Sequence, residues 1–334
     1  MSVLRVLTYH RVLDVADARK ATPGLLSATA PAFARQMEYL ARHYRVVTLE
    51  QVSDAFAGGR PLPSRATLIT FDDGYRDFGE VAWPILKRLG LPVTVFVPTA
   101  YPGSGERTFW WDRVAEIAFS PAKTEMKVDT LGRLSLATDA ERLQAFCRIR
   151  DHVKSLPHED AMGFVDRLSM GSVRAAASPP MVLDWEELRR LSKAGVAIGP
   201  HTRTHPLLSQ VPEEQVAAEV LGSIEDIRRE IGDCLPVFCY PSGDHNDAVV
   251  RVVARCGIEI AVSTNDGHND LRTVDRLRLR RTSITSRTTP WVFAVRLTRL
   301  GAAIDRWRHR PRTKPVSTPP NSHAEVNVTS AISS

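Results

Sequence analysis

The sequence predicts an α/β fold built on mostly parallel strands. Three observations predict it. Short apolar, β-branched runs recur along the chain, most of them bounded by Gly, Pro or polar turn residues. Amphipathic helical patterns lie between several of these runs. The composition, 43% hydrophobic, 25% charged and 7% aromatic over 334 residues, is that of a globular chain. It excludes a collagen-like, coiled-coil or largely disordered protein.

The strand candidates, in order, are Val3–Thr8, Thr67–Phe71, Pro92–Val97, Val196–Gly199, Pro236–Tyr240, Ile258–Ser263 and Arg278–Arg281. Between them, Phe33, Met37 and Leu40 fall at i, i+4 and i+7 and mark one apolar helix face. Thr48 followed by Gln51 resembles a capping box that opens a second helix. Val81, Ile85 and Leu89 mark a third, ended by Gly90. Residues 213–231 read as a fourth. The stretch 101–180 breaks this rhythm with polar and helical segments and no clear strand. It reads as an insertion between core strands, of a size to cap or wall a site.

A catalytic domain is therefore expected over residues 1–288. Beyond it, Phe293, Leu297, Leu300, Ile304 and Trp307 form one apolar stripe on a helix expected over 289–310, with Arg296, Arg299, Arg306, Arg308 and Arg310 around it. Such a helix docks on the body or rests as a basic amphipathic helix on an anionic membrane surface. Residues 311–334 are Pro-, Ser- and Thr-rich and are expected to be disordered.

The net charge is +6, but the residues from Arg306 onward carry +4 of it. The remaining body is nearly neutral, which argues against a broad phosphate-binding face and a nucleic-acid partner. The four cysteines are scattered without a CxxC pair, against a disulfide scaffold or a thiolate zinc site. No long apolar run predicts a membrane span or a signal peptide. The expected location is the cytoplasm, with contact at the inner membrane face if the C-terminal helix binds there. Oligomeric state is not legible in the sequence.

Three segments could carry chemistry. Thr70-Phe71-Asp72-Asp73-Gly74-Tyr75 follows an apolar run, so two adjacent carboxylates sit at the C-terminal end of a strand, where α/β folds place their ligands. Adjacent carboxylates in a partly dry site repel, and a cation lets both ionise. The bland alternative is an Asp-Gly turn. His201-Thr202-Arg203-Thr204-His205-Pro206 holds two imidazoles four residues apart. With one carboxylate these suit zinc, nickel or iron, although two solvated loop histidines would look the same. Phe238-Cys239-Tyr240-Pro241-Ser242-Gly243 reads as a strand entering a turn that could aim a backbone N–H at an oxyanion. Trp110 and Trp111, in the insertion, either line a carbohydrate groove or anchor the insertion on the body.

Together, in this order and each after a strand, TFDDGY, HTRTHP and the F-x-Y-P-x-G turn resemble the motifs of NodB-type polysaccharide deacetylases, carbohydrate esterase family four. LTYHRV, AFARQMEYLARHYRVVTLEQV and MVLDWEELRRLSKAGVAIG resemble that family's connecting sequence, so the likeness spans roughly residues 3–285. It implies a distorted, incompletely closed (β/α) barrel carrying the insertion and the C-terminal helix. It also implies a divalent metal, usually zinc, held by Asp73, His201 and His205, with Asp72 as general base and Tyr240 as backbone oxyanion donor. The implied activity is removal of N-acetyl groups from an acetylated amino-sugar polysaccharide, oligosaccharide or glycolipid precursor. The metal's part is to lower the pKa of bound water from 15.7 to about 7.

The chain departs from the family pattern in three places. The late Leu-x-x-His that supplies the general acid is absent from LRLRRTSIT, which leaves His268, His245 and His10 as candidates, with His268 favoured because it follows a predicted strand. His10, ending the first strand, would line the same rim. Cys239 stands where many relatives have an arginine that pairs with the base, and Arg281 could replace it. Pro200 stands where relatives tend to have Ser. The missing acid keeps two rivals open: a carbohydrate-binding protein with weak catalysis, and an O-acetyl esterase, whose leaving group needs less protonation.

Overall fold

The computed structural model describes residues 3–18, 21–104, 107–170, 181–298 and 300–301. The chain opens with β1 (Val3–Tyr9), β2 (Arg11–Leu13) and β3 (Leu26–Thr29), followed by α1 (Ala30–His43), β4 (Arg45–Val46) and α2 (Leu49–Phe56). Then come β5 (Ala66–Phe71), α3 (Trp83–Leu89) and β6 (Thr94–Val97). The insertion contributes α4 (Trp110–Ala118), β7 (Glu125–Val128), β8 (Gly132–Ser135), α5 (Asp139–Ser155) and α6 (His158–Ser169). The chain returns through α7 (Trp185–Lys193), β9 (Ala197–Pro200), α8 (Glu213–Ile231), β10 (Val237–Cys239), α9 (Asp247–Arg255) and β11 (Ile260–Val262). It ends in β12 (Asn269–Asp270), β13 (Thr282–Ser283) and α10 (Pro290–Arg296).

Parallel pairing runs β1–β5–β6–β9, with β13 on the other edge of β1. β10 and β11 pair separately, and Leu279 bridges to Val262 of β11. No ladder joins β9 to β10 among the described residues. The result is a (β/α) barrel left open on that side, as the family resemblance implies. Alternate residues on the strands serve two packing layers, as a two-residue period requires. Leu7, Tyr9, Ile69, Phe71, Val95 and Val97 pack with the helices, against Phe33, Met37 and Leu40 of α1 and Leu86 of α3. Leu4, Val6, Leu68, Phe96, Cys239 and Val262 form a second cluster with Leu49 and Val52 of α2. Where β6 pairs with β9, glycine stands opposite Phe96, because a Cβ on Gly199 would lie 2.8 Å from the Phe96 ring.

The helical expectations follow the local signals. The Thr48–Gln51 box forms in both directions, and Gly90 ends α3 with φ 65°. Residues ahead of α3 depart from a regular helix. Pro84 has no N–H to give to residue 80, and the preceding Trp83 N–H reaches back to Phe78, so Phe78–Ala82 forms a wider π turn.

Two expectations are corrected. The insertion does contain strands, an antiparallel hairpin of β7 and β8 that the sequence reading passed over. Its strand faces are largely exposed, with Val128 and Leu134 in the insertion's own apolar cluster and Met126 partly buried against it, so little alternation marks it. The late strand lies at Thr282–Ser283, after a single bridge at Leu279, and not over Arg278–Arg281. Of the helix expected over 289–310, α10 covers Pro290–Arg296, a turn follows at Leu297 and Thr298, and Leu300 and Gly301 are helical again; Phe293 and Leu297 are buried, whereas Leu300 is 71% exposed. Ile304, Trp307 and the tail lie outside the described residues, as does most of the basic cluster. Among the described residues, no helix is long and apolar enough to cross a membrane.

Candidate active site

The site lies at the C-terminal ends of β1, β5, β9 and β10, on both sides of the barrel's opening. Asp72 and Asp73 follow β5 directly. The Asp72 N–H continues the ladder to Tyr9 O at 2.9 Å. Asp73 then turns left-handed, with φ 72° followed by Gly74 at 64°, and this reversal sends the two adjacent carboxylates to different partners.

Asp72 is engaged by Arg281. Nη1 and Nη2 donate to its two carboxylate oxygens at 2.8 and 2.7 Å, while Nε donates to Ser263 O at 2.8 Å. Both side chains are buried. Burial alone would push the Asp72 carboxyl up, but the charge and the paired hydrogen bonds of Arg281 outweigh it and hold it well below the usual carboxylate range. Arg281 is therefore the guanidinium partner of Asp72.

Asp73 faces the histidine loop. Its Oδ1 lies 3.4 Å from His205 Nε2 and 3.6 Å from His201 Nε2. His201 Nδ1 is 2.7 Å from Cys239 O, a pure acceptor, so Nδ1 carries the proton and Nε2 presents its lone pair. Burial, then the neighbouring His205, pushes the His201 imidazole down to about 4, which keeps it neutral near pH 7. This bond also spans the barrel's opening, from the loop after β9 to β10.

The histidine loop is pinned from outside the motif. Glu219 of α8 accepts from the Arg203 and Thr204 N–H groups at 2.7 and 2.9 Å and from Thr204 Oγ1 at 2.6 Å. Thr99 and Ala100 N–H groups donate to Thr202 O and Arg203 O. These anchors support a backbone in which Thr202 and His205 both adopt positive φ, 65° and 60°. Of the five non-glycine residues with positive φ among those described, Asp73, Thr202, His205 and Ser242 belong to this site. Such conformations persist only where the surroundings enforce them.

Do these residues suit a cation? Asp73 Oδ1 is buried without a hydrogen-bond partner. A buried acceptor left so costs about 1–3 kcal/mol, and this one faces the lone pair of a neutral imidazole. Ligands at zinc-like distances of about 2.0–2.1 Å around a tetrahedral centre stand about 3.4 Å apart, close to the spacing seen here. The donors of Asp73, His201 and His205 therefore fit a divalent ion. Asp72, His201 and Cys239 also converge, but burial keeps the Cys239 thiol protonated and Arg281 occupies Asp72, so that set does not fit.

A pocket opens onto these groups, lined also by His10, Trp110, Trp111 and Ser242. Trp111 is nearly buried and is a wall more than a platform. Its Nε1 donates to Tyr75 Oη at 2.8 Å, and its ring lies edge-on 4.8 Å from His205 and stacked 4.5 Å from Phe109. Tyr75 Oη in turn donates to Asp112 at 2.8 Å. Trp110 is half-buried at the rim.

Two expected site residues take other places. His268 is not in the pocket; its Nε2 lies 3.0 Å from Arg296 O, because the segment after β11 turns toward α10. His10 is the candidate histidine that reaches the pocket. His245 sits outside it too, stacked on Tyr240, with Nδ1 2.8 Å from Gly243 O. The Tyr240 N–H is not available as an oxyanion donor, since it completes the β10–β11 ladder to Val262 O at 3.1 Å. The turn residue that borders the pocket is Ser242. Glu219 went unnoticed in the sequence, where it is one acid among several on an amphipathic helix.

The fold and the site define a class: an open (β/α) barrel with a buried carboxylate–imidazole centre at its strand C-termini. A polysaccharide deacetylase family model matches residues 59–261, more than half of the chain, and the chain belongs to that family. The poly-beta-1,6-N-acetyl-D-glucosamine N-deacetylase of Escherichia coli K12 is 34% identical over 87 residues, 26% of this chain and only 12% of that longer protein. Among solved structures, the Streptococcus pyogenes deacetylase PplD, in complex with acetate, superposes with a TM-score of 0.59 at 19% identity, over 86% of this chain and 95% of that one. IcaB from Ammonifex degensii gives 0.56 at 19% identity, over 92% and 98%. At these identities the structural likeness shows the shared fold.

Proposed function

We propose that this protein hydrolyses the N-acetyl group of an amino sugar within a polysaccharide, oligosaccharide or glycolipid precursor, using a divalent cation, preferably zinc, at Asp73, His201 and His205. The carrying observation is the unpartnered Asp73 Oδ1, turned toward two imidazoles beside an arginine-held Asp72 in one pocket. The name of the E. coli relative supports the choice of an N-acetylated sugar.

When bound, the cation supplies Lewis acidity, which polarises the acetyl carbonyl and acidifies water. Asp72 accepts the proton of the attacking water. The Arg281 fork keeps Asp72 ionised and so ready to accept a proton, and it fixes which lone pairs remain free. The water oxygen bonds to the acetyl carbon, the carbon–nitrogen bond breaks, and the departing nitrogen takes a proton from His10. Acetate and the free amine leave. His201, held by Cys239 O, keeps its Nε2 lone pair for the cation, and Trp111 holds the His205 ring in place.

The test is acetate release from N-acetylated and O-acetylated glycans, before and after chelation. Release from the N-acetyl substrates, loss with chelator and recovery with zinc are expected. Activity confined to O-acetyl substrates, or unaffected by chelation and by metal content, overturns the reading.

A further inference from the structure

The insertion brings more than a wall. Helix α5 buries Phe146, Ile149 and Val153 in the insertion's own cluster. The adjoining stripe of the same helix carries Arg150 and Lys154, one turn apart, and both border the pocket that holds Asp72 and Asp73. A second hollow, continuous with the first through Trp110, Lys154, His205 and Ser242, extends to His158.

The charges in this cleft do not balance. Asp72 and Asp73 are the only acidic side chains among the residues lining either hollow. Asp72 is neutralised by Arg281, and Asp73 is turned to the imidazoles. Arg150 pairs with Asp151, through Nε and Nη2 to Oδ1 at 2.9 and 2.7 Å, but Asp151 lies outside the pocket and is 66% exposed. An exposed pair of this kind contributes little and exchanges readily for a ligand's carboxylate. Lys154 makes no ion pair among the described residues. Partial desolvation, and then the charge of Arg150, hold its ammonium below the ordinary lysine value, against the opposite pull of Asp151 and Asp244. Two cations thus crowd the mouth of a site whose deep carboxylates are turned to other groups, Asp72 to Arg281 and Asp73 to the imidazoles, beside Trp110.

We infer that Arg150 and Lys154 form a subsite for an anionic oxygen group, a carboxylate or a phosphoryl, carried by the glycan next to the N-acetyl sugar. The inference rests on the deacetylase reading above and narrows it to anionic glycans. It also gives the products a direction. Hydrolysis turns a neutral amide into an ammonium, which the same two cations repel.

The test compares three substrates: a neutral N-acetylglucosamine tetrasaccharide, one alternating N-acetylglucosamine with glucuronate, and an N-acetylglucosamine disaccharide with a terminal phosphate. Acetate release by the full chain is measured at low and high salt. Their binding to the Asp72→Asn protein is measured in parallel. The wild type is expected to favour at least one anionic substrate by about tenfold in kcat/KM, mostly through KM, with the preference shrinking as salt rises. In the Arg150→Gln/Lys154→Gln protein that ratio should fall toward one. In Arg150→Lys/Lys154→Arg, which keeps both charges, it should persist, separating charge from packing. Preference for the glucuronate or for the phosphate substrate names the source of the anion. An equal ratio in wild type and the Gln variant, or preference for the neutral substrate, overturns the inference. If no substrate releases acetate, the hydrolase reading fails, and the binding ratios still decide for or against the anion subsite.

Discussion

The barrel rim and the insertion meet at one pocket but are held by different forces. At the rim, charge is buried and answered: Asp72 and Arg281 are 3% and 0% exposed and share two hydrogen bonds. In the insertion, ions stay in water. Arg133 and Glu125 of its hairpin are 76% and 64% exposed, and an apolar cluster does the holding. Buried, hydrogen-bonded groups keep one geometry, as proton transfer and metal binding demand. Exposed charges on a separately packed helix can change without disturbing it. On the proposed function, chemistry belongs to the rim and substrate choice to the insertion.

The sharpest way to break this comparison is at the rim. Asp72→Asn should lower acetate release by about 10²–10⁴-fold while metal content, measured by elemental analysis, stays as in the wild type. His201→Ala should lose both. An Asp72→Asn protein of normal activity would remove the base from the rim.

Arg281→Gln leaves a buried carboxylate unpaired and should cost about 3–5 kcal/mol of stability, read from urea unfolding, along with activity. Lysine should not restore it, because it cannot reproduce the fork. Glu219→Gln should loosen the histidine loop and weaken zinc affinity by about 10–100-fold, checked by competition with a chromogenic chelator. An unchanged affinity would show that the loop holds its left-handed residues without α8.

The seam between the two regions yields a gentler test. Asp112 opens the insertion, yet accepts hydrogen bonds from Thr22 and Tyr75 of the body. Burial pushes its carboxyl up to about 6, against those hydrogen bonds. The folded value thus lies above the unfolded one, so between about pH 4 and 6 the folded state binds more protons. Stability should fall as pH rises through that window and then level, by roughly 3 kcal/mol in all. Asp112→Asn, which cannot ionise, should flatten this part of the profile. Smallest of all, Trp110→Ala at the half-buried rim should raise KM by a few-fold with little effect on kcat.

Much of the site was legible because its residues are adjacent or nearly so. Asp72-Asp73 after an apolar run, and His201 with His205, stand out whatever surrounds them. Glu219 did not, since an acid on an exposed-looking helix announces no partner. His268 was favoured for a related reason, and it lies outside the pocket. A histidine's distance from a strand end says where it starts, not which way the following loop turns. The Tyr240 N–H was misassigned because the turn is visible in sequence, but the strand that claims its hydrogen bond is not.

Local signals sufficed for what neighbouring residues decide among themselves: the span of α8, the Thr48 capping box, the stop at Gly90, and the order of ligand-bearing motifs after strands. These depend on side-chain period, backbone propensity and short-range hydrogen bonds. The pairing of Asp72 with Arg281, 209 residues away, the bond from His201 across the open side of the barrel, and the facing of α5 into the pocket arise only when the chain closes on itself. Burial then makes an unanswered charge or N–H costly, and packing selects which distant group answers it.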